Sequence, residues 1–287
     1  MRTILAGLLC CFAAATHAYE LFARTNLVAW CIVPFDAKKR GPEERALMLD
    51  RLGLHRFAYD WRAEHIPTFD AEIAACRRHN IEITAWWFPT TLDQDAYAIL
   101  AALERNKVRT QLWLMGGGGA VKSPEEQKQR VSAEAKRIFA IAQAAGKIGC
   151  TVGLYNHGGW FGEPTNQIAI IRDLSKMAVT NVGIVYNFHH GHEHIERFAE
   201  LFRAMQPHLV CVNINGMVHD GERAGKKILT IGAGDHDLAM LKVVRDSGWR
   251  GPVGIIDHRP ETDSEVTLRE NLRGLESLTR QLDGTRN

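Results

Sequence analysis

Short apolar runs recur along the chain at Asn26–Val33, His55–Tyr59, Ile81–Trp86, Thr110–Leu114, Cys150–Leu154, Val182–Tyr186, Leu209–Ile214 and Val253–Ile256. Each is rich in β-branched or aromatic residues and is bounded by Gly, Pro, Asn or Asp, the pattern of strands buried on both faces of a parallel sheet. The intervening segments change period. Ile195, Phe198, Phe202 and Met205 fall on one face of a helix, and Leu268, Leu272, Leu275 and Leu282 repeat that spacing near the C-terminus. Helix starts are marked too. Ser123-Pro124-Glu125-Glu126 offers an N-cap hydroxyl, a proline at the first helical position and a glutamate placed for a capping box, and Gly41-Pro42-Glu43-Glu44 puts proline and acids at a second start.

The pattern predicts eight strand–helix units in strict alternation, with no linker or composition break. Such a sheet leaves two open edges unless it closes, so the expected fold is α/β, a single (β/α)8 TIM barrel. An open doubly wound sheet is disfavoured because no GxGxxG follows the first strand. The barrel is assigned to residues 19–287. Residues 1–18 are read as a signal peptide: Arg2, an apolar run from Ile4 to Ala15, and small residues up to Ala18. The expected product is exported, periplasmic or secreted, with no membrane attachment after leader cleavage.

Composition narrows the function. With 35 Lys+Arg against 33 Asp+Glu in 287 residues and 46% apolar content, neither a disordered chain nor a general nucleic-acid binder is expected. Cys31, Cys76, Cys150 and Cys211 make no metal spacing and are read as buried thiols. HExxH is absent. Gly116–Gly119 lacks the Lys-Ser/Thr of a phosphate loop and is read as a turn. His190 and His194 have the i,i+4 spacing of a helical metal pair, a common spacing.

Barrel active sites form at the C-terminal strand ends. Those positions carry Asp60 after strand 2, Trp86 on strand 3, Trp113 on strand 4, Tyr155-Asn156-His157 after strand 5, Asn187 and His190 after strand 6, Asn213 on strand 7, and Asp257-His258 after strand 8. Aromatic faces suit the apolar face of a sugar ring, amides and phenols suit its hydroxyls, and His190, His157 and Asp257 are the candidate proton-transfer residues. Tyr155, Asn156, Asn187, Asn213, Asp60, Trp86, Trp113 and His258 are the candidate substrate contacts.

Gly232-Ala233-Gly234-Asp235-His236-Asp237, followed by a helix and Ser247-Gly248-Trp249-Arg250-Gly251, resembles the "GxGxxD … GYxG" segment of the xylose-isomerase-like barrels, the sugar phosphate isomerase/epimerase family. VGLYNH, VGIVYNFHH, CVNING and VGIID resemble that family's strands 5 to 8. The resemblance implies a divalent metal held by acids and a histidine after those strands. Here the places hold Tyr155, Asn187, Asn213 and Asp257, so the usual Mn2+ ligand set is not intact, and His157, His190, Asp257 or His258 would have to supply a rearranged site. The expected function is an exported, carbohydrate-active isomerase or epimerase working by proton transfer next to a sugar carbonyl. The alternatives are a keto-sugar lyase or hydratase, which shares the enolate step, and a non-catalytic sugar-binding barrel. A relative of endonuclease IV is disfavoured by the balanced charge and missing carboxylates. The expected partner is a small carbohydrate.

Overall fold

The computed structural model describes residues 21–284, so the signal peptide expected at residues 1–18 lies outside the described residues. In chain order the elements are β1 (Leu27–Trp30), α1 (Pro42–Leu52), β2 (Arg56–Tyr59), α2 (Phe69–Arg78), β3 (Glu82–Trp87), α3 (Gln94–Arg105), β4 (Gln111–Leu114), α4 (Pro124–Lys147), β5 (Thr151–Tyr155), α5 (Pro164–Lys176), β6 (Val182–Asn187), α6 (Phe198–Met205), β7 (Leu209–Ile214), α7 (Asp237–Asp246), β8 (Val253–Ile256) and α8 (Ser264–Gly284). The strands form a closed parallel barrel in sequence order, with β1 paired to β8 from Leu27↔Val253 to Trp30↔Ile256. All eight expected strands are present, each with ends within a few residues of its apolar run. Among the described residues, no helix is long and apolar enough to cross a membrane.

The start signals work as read. Ser123 Oγ accepts from the Glu126 amide at 3.1 Å and opens α4, and Glu44 Oε2 accepts from the Gly41 amide at 3.0 Å at the start of α1. α6 carries Phe198, Leu201, Phe202 and Met205 on its buried face, while Ile195 belongs to the 3-10 segment His192–Arg197 just before it.

Alternation along each strand divides the core in two. Leu27, Ala29, Phe57, Tyr59, Trp86, Leu112 and Leu114 face the helices, in the large outer layer. Val28, Trp30, Ala58, Ala85, Trp113, Tyr155, Val185, Cys211 and Ile256 fill the barrel interior. Gly153 on β5 makes room for this filling: a Cβ there would stand 2.7 Å from Trp113 Cδ1 and 2.5 Å from Val185 Cγ2. Trp113 therefore occupies a layer of the barrel core, with its indole N–H donating to Gln111 Oε1 at 2.8 Å. All four described cysteines are free and buried, as expected.

Candidate active site at the barrel mouth

A cavity of about 250 Å³ opens at the C-terminal ends of the strands. Trp30, Trp87 and Tyr155 form its floor, all from the inward register of β1, β3 and β5. Cys31, Phe35, Asp60, Arg62 and His258 make the wall over β1, β2 and β8. His157, His189 and His190 make the facing wall after β5 and β6, and Lys227 with Ile228 reaches over from the loop between β7 and α7.

The floor is a fixed aromatic assembly. Trp30 meets Trp113 edge-on at 4.9 Å, and Trp87 meets Tyr155 at 5.0 Å. The Trp30 indole N–H donates to the Tyr155 hydroxyl at 3.1 Å, and that hydroxyl lies 3.5 Å from His189 Nε2. Burial raises the Tyr155 phenol well above its ordinary range, so it keeps its proton and serves as a donor. His189 Nδ1 is buried without a hydrogen-bond partner.

The imidazoles stand ring to ring. His190 is 3.9 Å from His189 and 4.4 Å from His157, and His189 is 6.3 Å from His258. Burial lowers His189, His190 and His258, and neighbouring cationic groups lower them further, so these three rings are neutral at physiological pH.

Asp60, just after β2, lines the same cavity. Its Oδ1 accepts from the Val33 amide at 3.2 Å, while Oδ2 is buried with no partner. Desolvation raises this carboxyl to about 7 against the pull of Arg62. A carboxyl titrating near neutrality in a cavity wall is poised to exchange protons. Cys31 stands beside it, its thiol raised by burial and then by the Asp60 charge. Cys31 and His258 both have left-handed backbones, with φ of 58° and 52°, and are joined by the His258 amide donating to the Cys31 carbonyl at 3.2 Å. Two adjacent strands thus end in non-glycine residues held in a conformation that costs each about 1–2 kcal/mol, and both side chains point into the cavity.

Of the candidates read from sequence, Asp60, Tyr155, His157, His190 and His258 line this cavity; the rest do not. Asp257 faces α8, where Oδ2 accepts from Ser264 Oγ at 2.5 Å and Oδ1 from Thr267 Oγ1 at 2.6 Å, so its carboxyl ties β8 to a helix and does not line the cavity. Asn156, Asn187 and Asn213 spend their amides on one another. Asn156 Oδ1 accepts from the Asn187 amide at 2.7 Å and from its Nδ2 at 2.8 Å, and Asn187 Oδ1 accepts from Asn213 Nδ2 at 2.5 Å. Trp86 lies in the outer layer, edge-on to Tyr59 at 4.5 Å, and Trp113 lies in the barrel filling. His194 pairs with the Tyr186 hydroxyl at 3.1 Å and with Glu163 at 3.5 Å, which separates it from His190.

Trp87 and His189, which also stand at strand ends in the sequence, join the lining, whereas sequence reading missed Trp30, Cys31, Phe35, Arg62, Lys227 and Ile228. Strand parity finds part of this set: with Val28 inward Trp30 must point in, and the same alternation from Ala58, Ala85 and Ile256 turns Asp60, Trp87 and His258 inward and Trp86 and Asp257 outward. Lys227 has no such signal. Its loop is placed by long-range contacts: Asp237 accepts from the amides of Met217, Gly232 and Gly234 at 2.5, 2.7 and 3.2 Å, and the His192 ring nitrogens meet the Val218 and Lys227 carbonyls at 2.7 and 3.1 Å. The acid of the GxGxxD segment therefore shapes the loop.

The metal implied by the resemblance does not fit these residues. Tyr155 is a protonated phenol, Asn187 and Asn213 are bonded to each other, and Asp257 is held by two hydroxyls facing α8. No group of three or more His, Cys, Asp or Glu among the described residues is arranged to hold a metal ion.

Residues 48–278 match the family model described as xylose isomerase-like TIM barrel. No protein of curated function is significantly similar in sequence. Among solved structures, the apo form of 3-keto-D-glucoside 4-epimerase from E. coli superposes with a TM-score of 0.65 at 15% identity, covering 89% of this chain and 99% of that one. The IolI protein with a zinc atom gives 0.65 at 13% identity, covering 90% and 99%. D-allulose 3-epimerase from Methylomonas sp. gives 0.64 at 12% identity, covering 89% and 98%. At these identities the likeness establishes the fold.

Proposed function

The chain belongs to the xylose isomerase-like TIM barrel family, and on that footing we propose that it is a carbohydrate isomerase or epimerase that moves a proton on a carbon next to a sugar carbonyl. The observation carrying this reading is the arrangement of Asp60 against the imidazole wall. An unpartnered carboxylate oxygen, buried and titrating near neutrality, shares one small cavity with neutral His189 and His190 and the Tyr155 hydroxyl. Similarity to sugar epimerases of known structure supports the choice of substrate class.

In this mechanism the Trp30 and Trp87 faces hold the apolar side of the sugar. Asp60 Oδ2 takes the proton from the carbon beside the carbonyl. The Tyr155 hydroxyl and a histidine N–H stabilise the enolate oxygen, the task a metal performs in other barrels. The protonated Asp60 carboxyl, exchanging its proton with solvent, then returns a proton to that carbon or its neighbour, while His190 and His157 hydrogen-bond the sugar hydroxyls. Export follows from the leader pattern at residues 1–18 and is part of the proposal.

The test is proton NMR in D2O with a panel of keto-sugars. The wild-type protein is expected to introduce deuterium beside the carbonyl, and His190→Ala and Asp60→Asn are each expected to slow this by about 10²–10⁴-fold while circular dichroism stays unchanged. A sugar that binds without exchange would assign the barrel to recognition alone, and full activity in both variants would remove these residues from the mechanism.

A further inference from the structure

We propose that the cavity contains a subsite for an anionic oxygen group, built on Arg62 and completed by Lys227, so that the ligand is an acidic sugar. The inference rests on reading the cavity as a sugar site and specifies which sugars it takes.

Arg62 is positioned as a recognition group. Its Nη1 donates to the carbonyls of Asp60 and Trp61 at 2.8 and 2.7 Å, and its guanidinium carbon sits 5.4 Å above the Phe35 ring. Phe35 in turn lies 3.8 Å from the His258 ring. The guanidinium is thus held on one edge and one face. Its remaining N–H groups have no protein acceptor among the described residues, and no carboxylate lies within salt-bridge distance. Other arginines here are satisfied differently: Arg40 pairs with Asp36 at 2.9 Å, Arg45 with Glu72 at 2.5 Å, and Arg105 with Asp70 at 2.6 Å. A guanidinium fixed at a cavity wall with no carboxylate in direct contact presents the fork that binds carboxylate or phosphate oxygens in pairs.

Lys227 reaches the same cavity from the far side. Its ammonium contacts Glu222 at 2.7 Å, but that glutamate is 71% exposed, so the pair is solvated and yields to a ligand. Among the described residues that line the cavity, Asp60 is the one carboxyl beside two cationic side chains, since Glu222 lies outside it. Burial is the main cause that lowers His189, His190 and His258, and Lys227 adds to it for all three, as Arg62 does for His258. An anion in the cavity offsets the cationic part of these shifts.

Trp30 and Trp87 line the cavity, so tryptophan fluorescence reports binding. The purified protein is titrated with D-glucuronate, D-galacturonate, D-glucose 6-phosphate, D-glucose and D-galactose. An acidic sugar is expected to bind about tenfold or more tightly than its neutral parent, the usual gain from one charge-assisted pair. Arg62→Met is expected to remove most of that margin, Arg62→Lys to keep part of it, and Lys227→Met to lose a smaller part, with melting curves confirming that each variant folds. Preference for the uronates identifies a carboxylate and preference for the phosphate ester identifies a phosphate; either supports the subsite. Equal affinity for acid and parent, or a preference that survives Arg62→Met, overturns the subsite and leaves the sugar reading intact. Failure of every sugar to bind overturns the sugar reading itself.

Discussion

Asp60 shows how one side chain takes opposite parts in stability and activity. Its carboxyl is raised to about 7 by burial, above the 3.8 of a free aspartate, so the folded state prefers the protonated form. The stabilising contribution is complete below the free value and is lost as pH rises through about 7. Asp60→Asn keeps an acceptor for the Val33 amide and removes the buried charge. It is expected to raise the melting temperature at pH 8 by roughly 2–8 °C, for about 1–2 kcal/mol, with a smaller gain at pH 5 and little below about pH 4. Deuterium exchange by the wild-type protein is expected to fall on the acid side of about pH 7, as the base becomes protonated. A melting temperature equally changed at both pH values would show that the carboxyl is not the titrating group.

At the scale of elements, sequence candidates that lie outside the cavity join strands and helices. The Asn156–Asn187–Asn213 chain links the ends of β5, β6 and β7, and its amides are satisfied only because three consecutive strands lie in register. Gly254 is part of the same arrangement, since a Cβ there would collide with the Asn213 amide. Asp257 fastens the start of α8 to the end of β8 through Ser264 and Thr267. Asp257→Ala leaves two buried hydroxyls without their acceptor and is expected to cost about 2–4 kcal/mol in urea denaturation. The folded fraction of that variant is expected to exchange deuterium at the wild-type rate. A stable but inactive Asp257→Ala protein would instead return Asp257 to the chemistry.

For the whole molecule, the family fold and the family metal site separate. The barrel is complete, and the positions that hold the cation by resemblance hold a protonated phenol, two mutually bonded amides and a carboxylate engaged with α8. Treatment with EDTA is therefore expected to leave both the melting temperature and the exchange rate unchanged. Loss of activity on chelation, restored by Mn2+ or Zn2+, would mean that the amide chain opens to admit a cation.

The chain's own pattern of apolar runs, caps and turns determined the barrel. Each run is buried wherever the sheet closes, so local periodicity and the need to eliminate open edges suffice to define eight strands, their order and the end that carries the site. It also determined that Asp60, Tyr155, His157, His190 and His258 meet, because all follow strands that end at one mouth. Tertiary structure decided which polar residues remain available. Asn187, Asn213 and Asp257 look like ligands in one dimension, and become structural only through partners 26, 26 and 7–10 residues away. Arg62 and Lys227 look like ordinary loop cations, and become a pair because closure of the barrel brings the loops after β2 and β7 over one cavity. Hydrogen bonding is satisfied in three dimensions, and a spare donor or acceptor is visible only once its neighbours are in place.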